Sequence, residues 1–324
     1  MKGLVIRGSR NIFTVRTEGG SEGCPSMPDG SRGVVLECRI KGKVLKGVEG
    51  YYNPLAPGDR VDIEVDPINP RKGLILGVEE RIRILTRFNR KGQASQVLAA
   101  NPDLVLCVTT PASPPFRPRF LDRALLQADS AGIPAVIVCN KWDLFEANPD
   151  TEERLQNFST IGYSVLRVSA LTGEGMDGLH ALIANRLSVL LGQSGVGKSS
   201  LINALIPSMN IRVGSLNEKY DRGNHTTTMS VALEVPGSGG QTFIIDTPGL
   251  RHLVPDGIQV RDIIYSMREF APLAGKCTYG RSCSHRIEPG CKIMEAVAAG
   301  KIHEDRYESF LRIQDELGGA HDRY

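Results

Sequence analysis

The residues Gly192 to Ser199, G-Q-S-G-V-G-K-S, constrain the fold of this chain more than any other stretch. They match a pattern of two glycines separated by four residues and followed by Lys and then Ser or Thr. Each residue type has a physical use. Gly192, Gly195 and Gly197 let backbone N–H groups turn toward one point with no Cβ in the way. Lys198 brings a cation to the terminal phosphates of a nucleotide, and the Ser199 hydroxyl suits a magnesium ion. The flanks agree. Ser188 to Leu191 is a short apolar run of strand type, and Ser199-Ser-Leu-Ile-Asn-Ala-Leu205 opens a helix. A helix starting at such a loop adds the positive end of its dipole to the site.

The length of 324 residues implies two or three domains. Hydrophobic and charged fractions of 41% and 23% are those of a globular protein, and no apolar run approaches the roughly 18 residues of a membrane span. Arg7 comes too early for a signal-peptide core, so a cytoplasmic protein away from membranes is expected. Seven cysteines, an odd number in no regular frame, point to a reducing compartment rather than a disulfide scaffold. No heptad pattern suggests an oligomer, and a monomer is expected. Residues 1–91 hold 17 Lys and Arg against 11 Asp and Glu, so the excess positive charge lies at the N-terminus, where a nucleic-acid surface fits.

Residues 1–92 read as short strands. Leu4–Ile6, Ile12–Arg16, Gly33–Ile40, Arg60–Val65 and Ile82–Leu85 are β-branched or alternating, with turn-rich pieces between them. Five strands without a long helix predict a small OB-type β-barrel, with an SH3-like barrel as the other candidate. Arg39, Lys41, Lys43 and Lys46 cluster on one strand and the turn after it, where they can track a phosphate backbone.

From residue 93 to 264 strands and helices alternate, as in a doubly wound α/β domain. Pro134 to Cys139 is a buried-type strand ending in Asn140-Lys141-Trp142-Asp143, at the strand end where α/β sheets bind ligands. Asp143 can accept hydrogen bonds from the N1–H and 2-amino groups of guanine; adenine offers no matching pair. Asn140 can hold neighbouring loops, and the Lys141 stem can lie over the base. Tyr163 to Val168 is a strand leading to Ser169-Ala170, whose N–H groups suit the guanine carbonyl. Met176 to Leu187 reads as a helix. After the glycine-rich loop, one threonine of His225-Thr226-Thr227-Thr228 suits magnesium. Phe243-Ile-Ile-Asp-Thr-Pro-Gly249 then gives a strand, Asp246 for the ion through water, and a Gly249 amide for a γ-phosphate.

Residues 265–324 contain Cys277, Cys283, His285 and Cys291, three thiols and an imidazole within fifteen residues. Zinc takes four such ligands in a tetrahedron, and its binding orders a segment with little core of its own. Helical stretches follow, Ala296–Ala299 and Glu304 to Leu317, whose Tyr307, Phe310, Leu311 and Ile313 read as core rather than as RNA-stacking groups.

These motifs resemble those of GTPases, in a circularly permuted order. Ordinary GTPases run from the phosphate loop through a switch Thr and D-x-x-G to N-K-x-D and Ser-Ala. Here N-K-W-D and S-A-L come first, then the phosphate loop, H-T-T-T and D-T-P-G. With a barrel in front and a Cys/His cluster behind, the chain is similar to the RsgA/YjeQ family of bacterial ribosome-associated GTPases. The resemblance implies GTP hydrolysis late in small-subunit maturation, with GTP or GDP, the small subunit and its rRNA as partners. It implies a phosphate cradle of Gly192, Gln193, Ser194, Gly195, Val196, Gly197, Lys198, Ser199 and Ser200. Guanine falls to Asn140, Lys141, Trp142 and Asp143 with Ser169 and Ala170, and the nucleotide state to Thr227, Asp246 and Gly249. Magnesium falls to Ser199 and Thr227, and structural zinc to the four C-terminal ligands. Lys198 acts catalytically, and His225 takes the water-orienting role that a Gln after D-x-x-G has elsewhere, since Leu250 stands there. Asn224 replaces a common Arg, Gly195 replaces the Asn of potassium-activated GTPases, and the first cysteine gap is five residues rather than the usual four. The rival is an RNA-binding assembly chaperone in which GTP is mainly a structural ligand.

Overall fold

In the computed structural model, the structure describes residues 1–9, 11–18, 34–42, 48–89, 92–146, 148–209, 230–237, 241–250 and 253–321. Lys43, Lys46, Asn224, His225 and Thr226 to Thr228 lie outside the described residues.

The N-terminal strands close into a barrel in the order β1 (Lys2–Ser9), β2 (Ile12–Thr17), β3 (Val35–Ile40), β5 (Lys72–Val78), β4 (Arg60–Val65). Strands β3 and β5 are parallel and the other neighbours antiparallel, which is the OB arrangement rather than an SH3-like one. Alternation drives it: Val61 and Ile63 fill the barrel with Val5, Phe13, Val15, Leu36 and Ile75, while Arg60 and Glu64 face water. One expected strand is corrected. Ile82–Leu85 is not the fifth barrel strand; that strand is Lys72–Val78. Its two glycines and Lys72 dilute the β signal, but Ile75 is fully buried inside the barrel. Residues Ile84–Asn89 form β6, which pairs with β7 (Ala94–Ala100) in a separate hairpin, and Leu85, Leu98 and Ala99 join the α/β core.

The central sheet has the order β10 (Ser164–Arg167), β9 (Ala135–Cys139), β8 (Leu104–Thr109), β11 (Leu187–Gly192), β13 (Phe243–Asp246), β12 (Val231–Glu234). All are parallel except β12 at the edge. Strands β8, β9 and β11 are buried along their whole length, which explains their continuous apolar runs. One face is covered by α1 (Pro118–Ser130) and α2 (Pro149–Thr160), the other by α3 (Met176–Ile183) and α4 (Lys198–Leu205). The expected helix from Met176 to Leu187 ends at Ile183. Asn185 takes a left-handed φ of 55°, and Leu187 already belongs to β11, because its place in the sheet outweighs its helix propensity.

The register aligns Gly192 with Val108, Thr109 with Cys139, and Cys139 with Arg167, so the loops after β11, β8, β9 and β10 leave the sheet at one edge. The barrel docks at the opposite edge. Arg16 reaches Glu234 at 3.0 Å and lies over the Phe243 ring.

The C-terminal segment packs on α1 around Phe270, Phe310 and Ile313. Charged pairs, the first of them fully buried, join the two. Arg306 donates to Asp122 of α1 at 2.7 Å and to Glu269 at 2.6 Å, and Arg268 donates to Asp129 at 3.0 Å. Two helices end the segment, Lys292–Ala298 and Glu304–His321. Phe310 and Ile313 are fully buried, as expected of core residues.

Candidate functional site

The glycine-rich loop joins β11 to α4. Gly195 and Gly197 have φ values of 86° and 89°, where an L side chain is strained, and a Cβ on Gly197 would sit 2.3 Å from Asn140 Nδ2. Gly192 is needed for another reason: its Cβ would meet the Val108 carbonyl oxygen at 2.8 Å. The loop is therefore a close-packed ring of backbone at the start of a helix, the arrangement that binds phosphate. The Lys198 ammonium folds back over it, donating to the carbonyls of Gly192 at 2.7 Å and Gln193 at 3.0 Å. An ammonium has three N–H groups, so one remains for an anion. Burial lowers its pKa to about 8, against the opposing pull of Asp246.

Asp246 ends β13 beside this lysine. Burial raises its pKa to about 6, with Lys198 acting in the opposite sense. Its Oδ1 is sealed from solvent and has no hydrogen-bond partner among the described residues. A buried orphan carboxylate oxygen is costly unless a ligand satisfies it, and its chemistry fits a hydrated magnesium ion beside Ser199. Thr247 donates to the Leu190 carbonyl at 2.6 Å, and Gly249 lies against Ser194, where its own Cβ would come within 3.3 Å of the Ser194 Cα. The D-T-P-G stretch thus abuts the phosphate loop. Leu250 turns inward, 2% exposed, into the core.

Asn140, 1% exposed, links three motifs. Its Nδ2 donates to the Val196 carbonyl at 3.0 Å and the Gly197 carbonyl at 3.4 Å, and its Oδ1 accepts from the Ala170 N–H at 3.1 Å. Lys141 adopts a left-handed φ of 59° and donates to the Ser113 carbonyl at 2.7 Å. Asp143 is exposed and accepts from the buried Ser169 hydroxyl, which also accepts from the Thr172 N–H at 3.1 Å. Trp142 stacks on Phe145 with centroids 4.2 Å apart and lies under the Arg167 guanidinium, itself bound to Glu152. Reasoning from sequence missed the Ser113–Pro114 loop after β8, which supports Lys141 and borders Gly195. The proline run there was its only available signal.

The second site lies in the C-terminal segment. The ligand atoms of Cys277, Cys283, His285 and Cys291 all lie within 4.8 Å of one another, and all four residues are buried. Cys277 Sγ is 3.6 Å from His285 Nδ1 and 3.9 Å from Cys291 Sγ, while His285 Nδ1 is 3.4 Å from Cys291 Sγ. Tetrahedral zinc, with bonds of about 2.0–2.3 Å, requires edges of roughly 3.5–3.8 Å. The cluster therefore can hold a metal ion, and the five-residue first gap does not displace Cys277. His285 takes a left-handed φ of 62°, and its carbonyl accepts from the Tyr307 hydroxyl at 2.6 Å. The Lys292 N–H donates to Cys277 Sγ at 3.3 Å, an outer bond that suits a thiolate.

A family model described as RsgA GTPase matches residues 78–254. The chain belongs to the RsgA GTPase family. Full-length relatives agree: it is 34% identical over 320 residues to a small ribosomal subunit biogenesis GTPase RsgA of Bacteroides fragilis, covering 98% of this chain and 97% of that one. The protein of the same name from Chlorobaculum parvum is 38% identical over 292 residues, 88% and 92% of the two chains. Among solved structures, YjeQ from Thermotoga maritima matches with a TM-score of 0.72 and 28% identity over 98% of both chains. YloQ, described as a circularly permuted GTPase, matches with a TM-score of 0.65 and 25% identity, covering 100% of this chain and 96% of that one. The permuted motif order of this chain agrees with the description of YloQ.

Proposed function

We propose that this chain is a monomeric cytoplasmic GTPase that binds the small ribosomal subunit and its rRNA late in maturation, hydrolyses GTP there, and leaves after hydrolysis. One observation carries the reading of the site. Asn140 ties the guanine motif to both the phosphate loop and the Ser-Ala loop, so motifs far apart in the chain form one guanine-nucleotide pocket. The names of the relatives carry the ribosomal part. The division follows the chain: residues 1–92 with the RNA-binding barrel, whose last strand ends at Val78, 93–264 as the permuted GTPase domain, and 265–324 as a zinc segment.

Asp143 reads the guanine edge, held by the Ser169 hydroxyl, with Lys141, Trp142 and the Ala170 N–H completing the base site. The N–H groups from Gly192 to Ser200 and the Lys198 ammonium hold the phosphates and meet the charge that develops on them. Ser199, Thr227 and Asp246 would hold magnesium, which supplies further positive charge at the phosphate oxygens. The buried Leu250 cannot orient water; as the family resemblance implies, His225 would take that task, with ribosomal groups completing the site. Zinc at Cys277, Cys283, His285 and Cys291 would staple the C-terminal segment.

The test is GTP hydrolysis by the purified protein, alone and with small subunits, with large subunits and ATP as controls. Strong stimulation by small subunits only is expected. A His225→Ala variant should bind GTP and the subunit but remain there. Normal release by that variant, with turnover indifferent to any ribosomal particle, would favour the assembly-chaperone reading.

A further inference from the structure

A cleft of about 1040 Å3 opens between the loop after β8 and the start of α2. Phe116 and Phe145 contribute apolar surface, together with prolines from both loops. Its carboxylates are Glu146, Asp150 and Asp305, with Asp143 of the guanine site at its border, and its one cation among the described residues is Arg154. Arg154 is 4% exposed and lies against carboxylates on both sides, with Asp305 at 3.4 Å and Asp122 at 3.9 Å. Glu146 and Asp150 are exposed and pair with no other described residue. The cleft is thus strongly negative in a chain whose net charge is +3.

Nucleic acid is repelled by such a surface. The opposite charge fits it well. Lys and Arg can lay their methylene stems on the apolar floor, place their cations over the rings, and reach the acidic rim with the charged heads. We propose that this cleft docks an extended Lys- and Arg-rich protein segment. A particle made of RNA and protein would present such a segment as a basic protein tail; that source rests on the ribosomal reading, whereas the chemistry of the cleft does not.

The protein carries its own reporter. Trp142 is its only tryptophan and stacks on Phe145, a wall of the cleft. The full-length, GDP-loaded protein is titrated with a short Lys-Arg-Pro repeat peptide while Trp142 fluorescence is read. A saturable change is expected, weakening as salt rises. The double variant Glu146→Lys, Asp150→Lys should bind the peptide about tenfold more weakly or worse, because two attractions become repulsions. The same reversals at the exposed Asp177 and Asp262 should leave affinity within about twofold. Equal losses in both pairs, no saturation, or an equal response to a short RNA would overturn the proposal. If the peptide fails to bind while small subunits still stimulate hydrolysis, this inference falls and the function above stands.

Discussion

Replacing Asn140 by Ala tests whether the site is assembled by that side chain. Asn140 is 1% exposed and makes two well-formed hydrogen bonds, at 3.0 Å to the Val196 carbonyl and 3.1 Å from the Ala170 N–H, with a longer one at 3.4 Å to Gly197. Alanine supplies none of them and leaves two backbone groups without their partner. Each orphan costs about 1–3 kcal/mol if it stays dry, and less where water can enter. Two such orphans sum to about 2–6 kcal/mol when dry, which as a loss of binding is roughly 30-fold or more. The loss should fall on affinity, because the phosphate and Ser-Ala loops would have to be re-ordered by the nucleotide itself. The assay is GDP binding read by Trp142 fluorescence, together with thermal melting of the nucleotide-free protein. Asn140→Asp should be no better, since its carboxylate cannot donate to the Val196 carbonyl. An alanine variant that binds GDP within about threefold of the parent would refute the reasoning, because so small a change is less than one ordinary hydrogen bond.

The ionisable pair in the site gives a pH signature. With Lys198 lowered to about 8 and Asp246 raised to about 6, affinity for magnesium–GDP should be greatest between those values and should fall by up to about tenfold per pH unit on either side. Nucleotide-free stability moves the other way above 8: the unfolded lysine keeps its proton up to 10.5, so stability rises with pH between about 8 and 10.5 while affinity falls. A flat affinity across that window would sink the assignment. Below 6 the same logic makes stability fall as pH rises from 3.8 to about 6, because folded Asp246 holds its proton longer than the unfolded carboxyl. Arg306→Met should destabilise the protein by about 3–5 kcal/mol, since Asp122 and Glu269 stay buried without their cation; chemical denaturation that shows under about 1 kcal/mol would deny the cluster a structural role. Removing metal with a chelator should open the segment from Cys277 to Cys291 to protease while GDP affinity holds, and elemental analysis should find zinc in the untreated protein; unchanged protease resistance would mean that the segment needs no metal.

The motifs were legible because their chemistry is local. A glycine-rich phosphate-loop motif is written in eight consecutive residues, N-K-W-D in four, and the Cys/His cluster in fifteen, each within reach of a single turn or loop. The strands of the α/β sheet were legible for a related reason: burial on both faces requires unbroken apolar runs such as Leu104–Thr109 and Ala135–Cys139. The order of those motifs also revealed the permutation, which is a property of the chain rather than of its folding.

What depended on long-range contact stayed hidden. The fifth barrel strand, Lys72–Val78, is recognisable only through its pairing with β3 and β4, whereas the expected strand Ile82–Leu85 is in part drawn by β7 into a hairpin. The helix after Met176 stopped early because the sheet claimed Leu187. No local pattern marks Arg306 as the partner of Asp122, 184 residues away, or Asn140 as the tie between the Val196 and Ala170 backbones. The sequence by itself determined which chemistry the chain carries and in what order. Tertiary structure alone decided which groups meet and at what pKa, because burial and hydrogen bonding between distant residues depend on packing that no local pattern encodes.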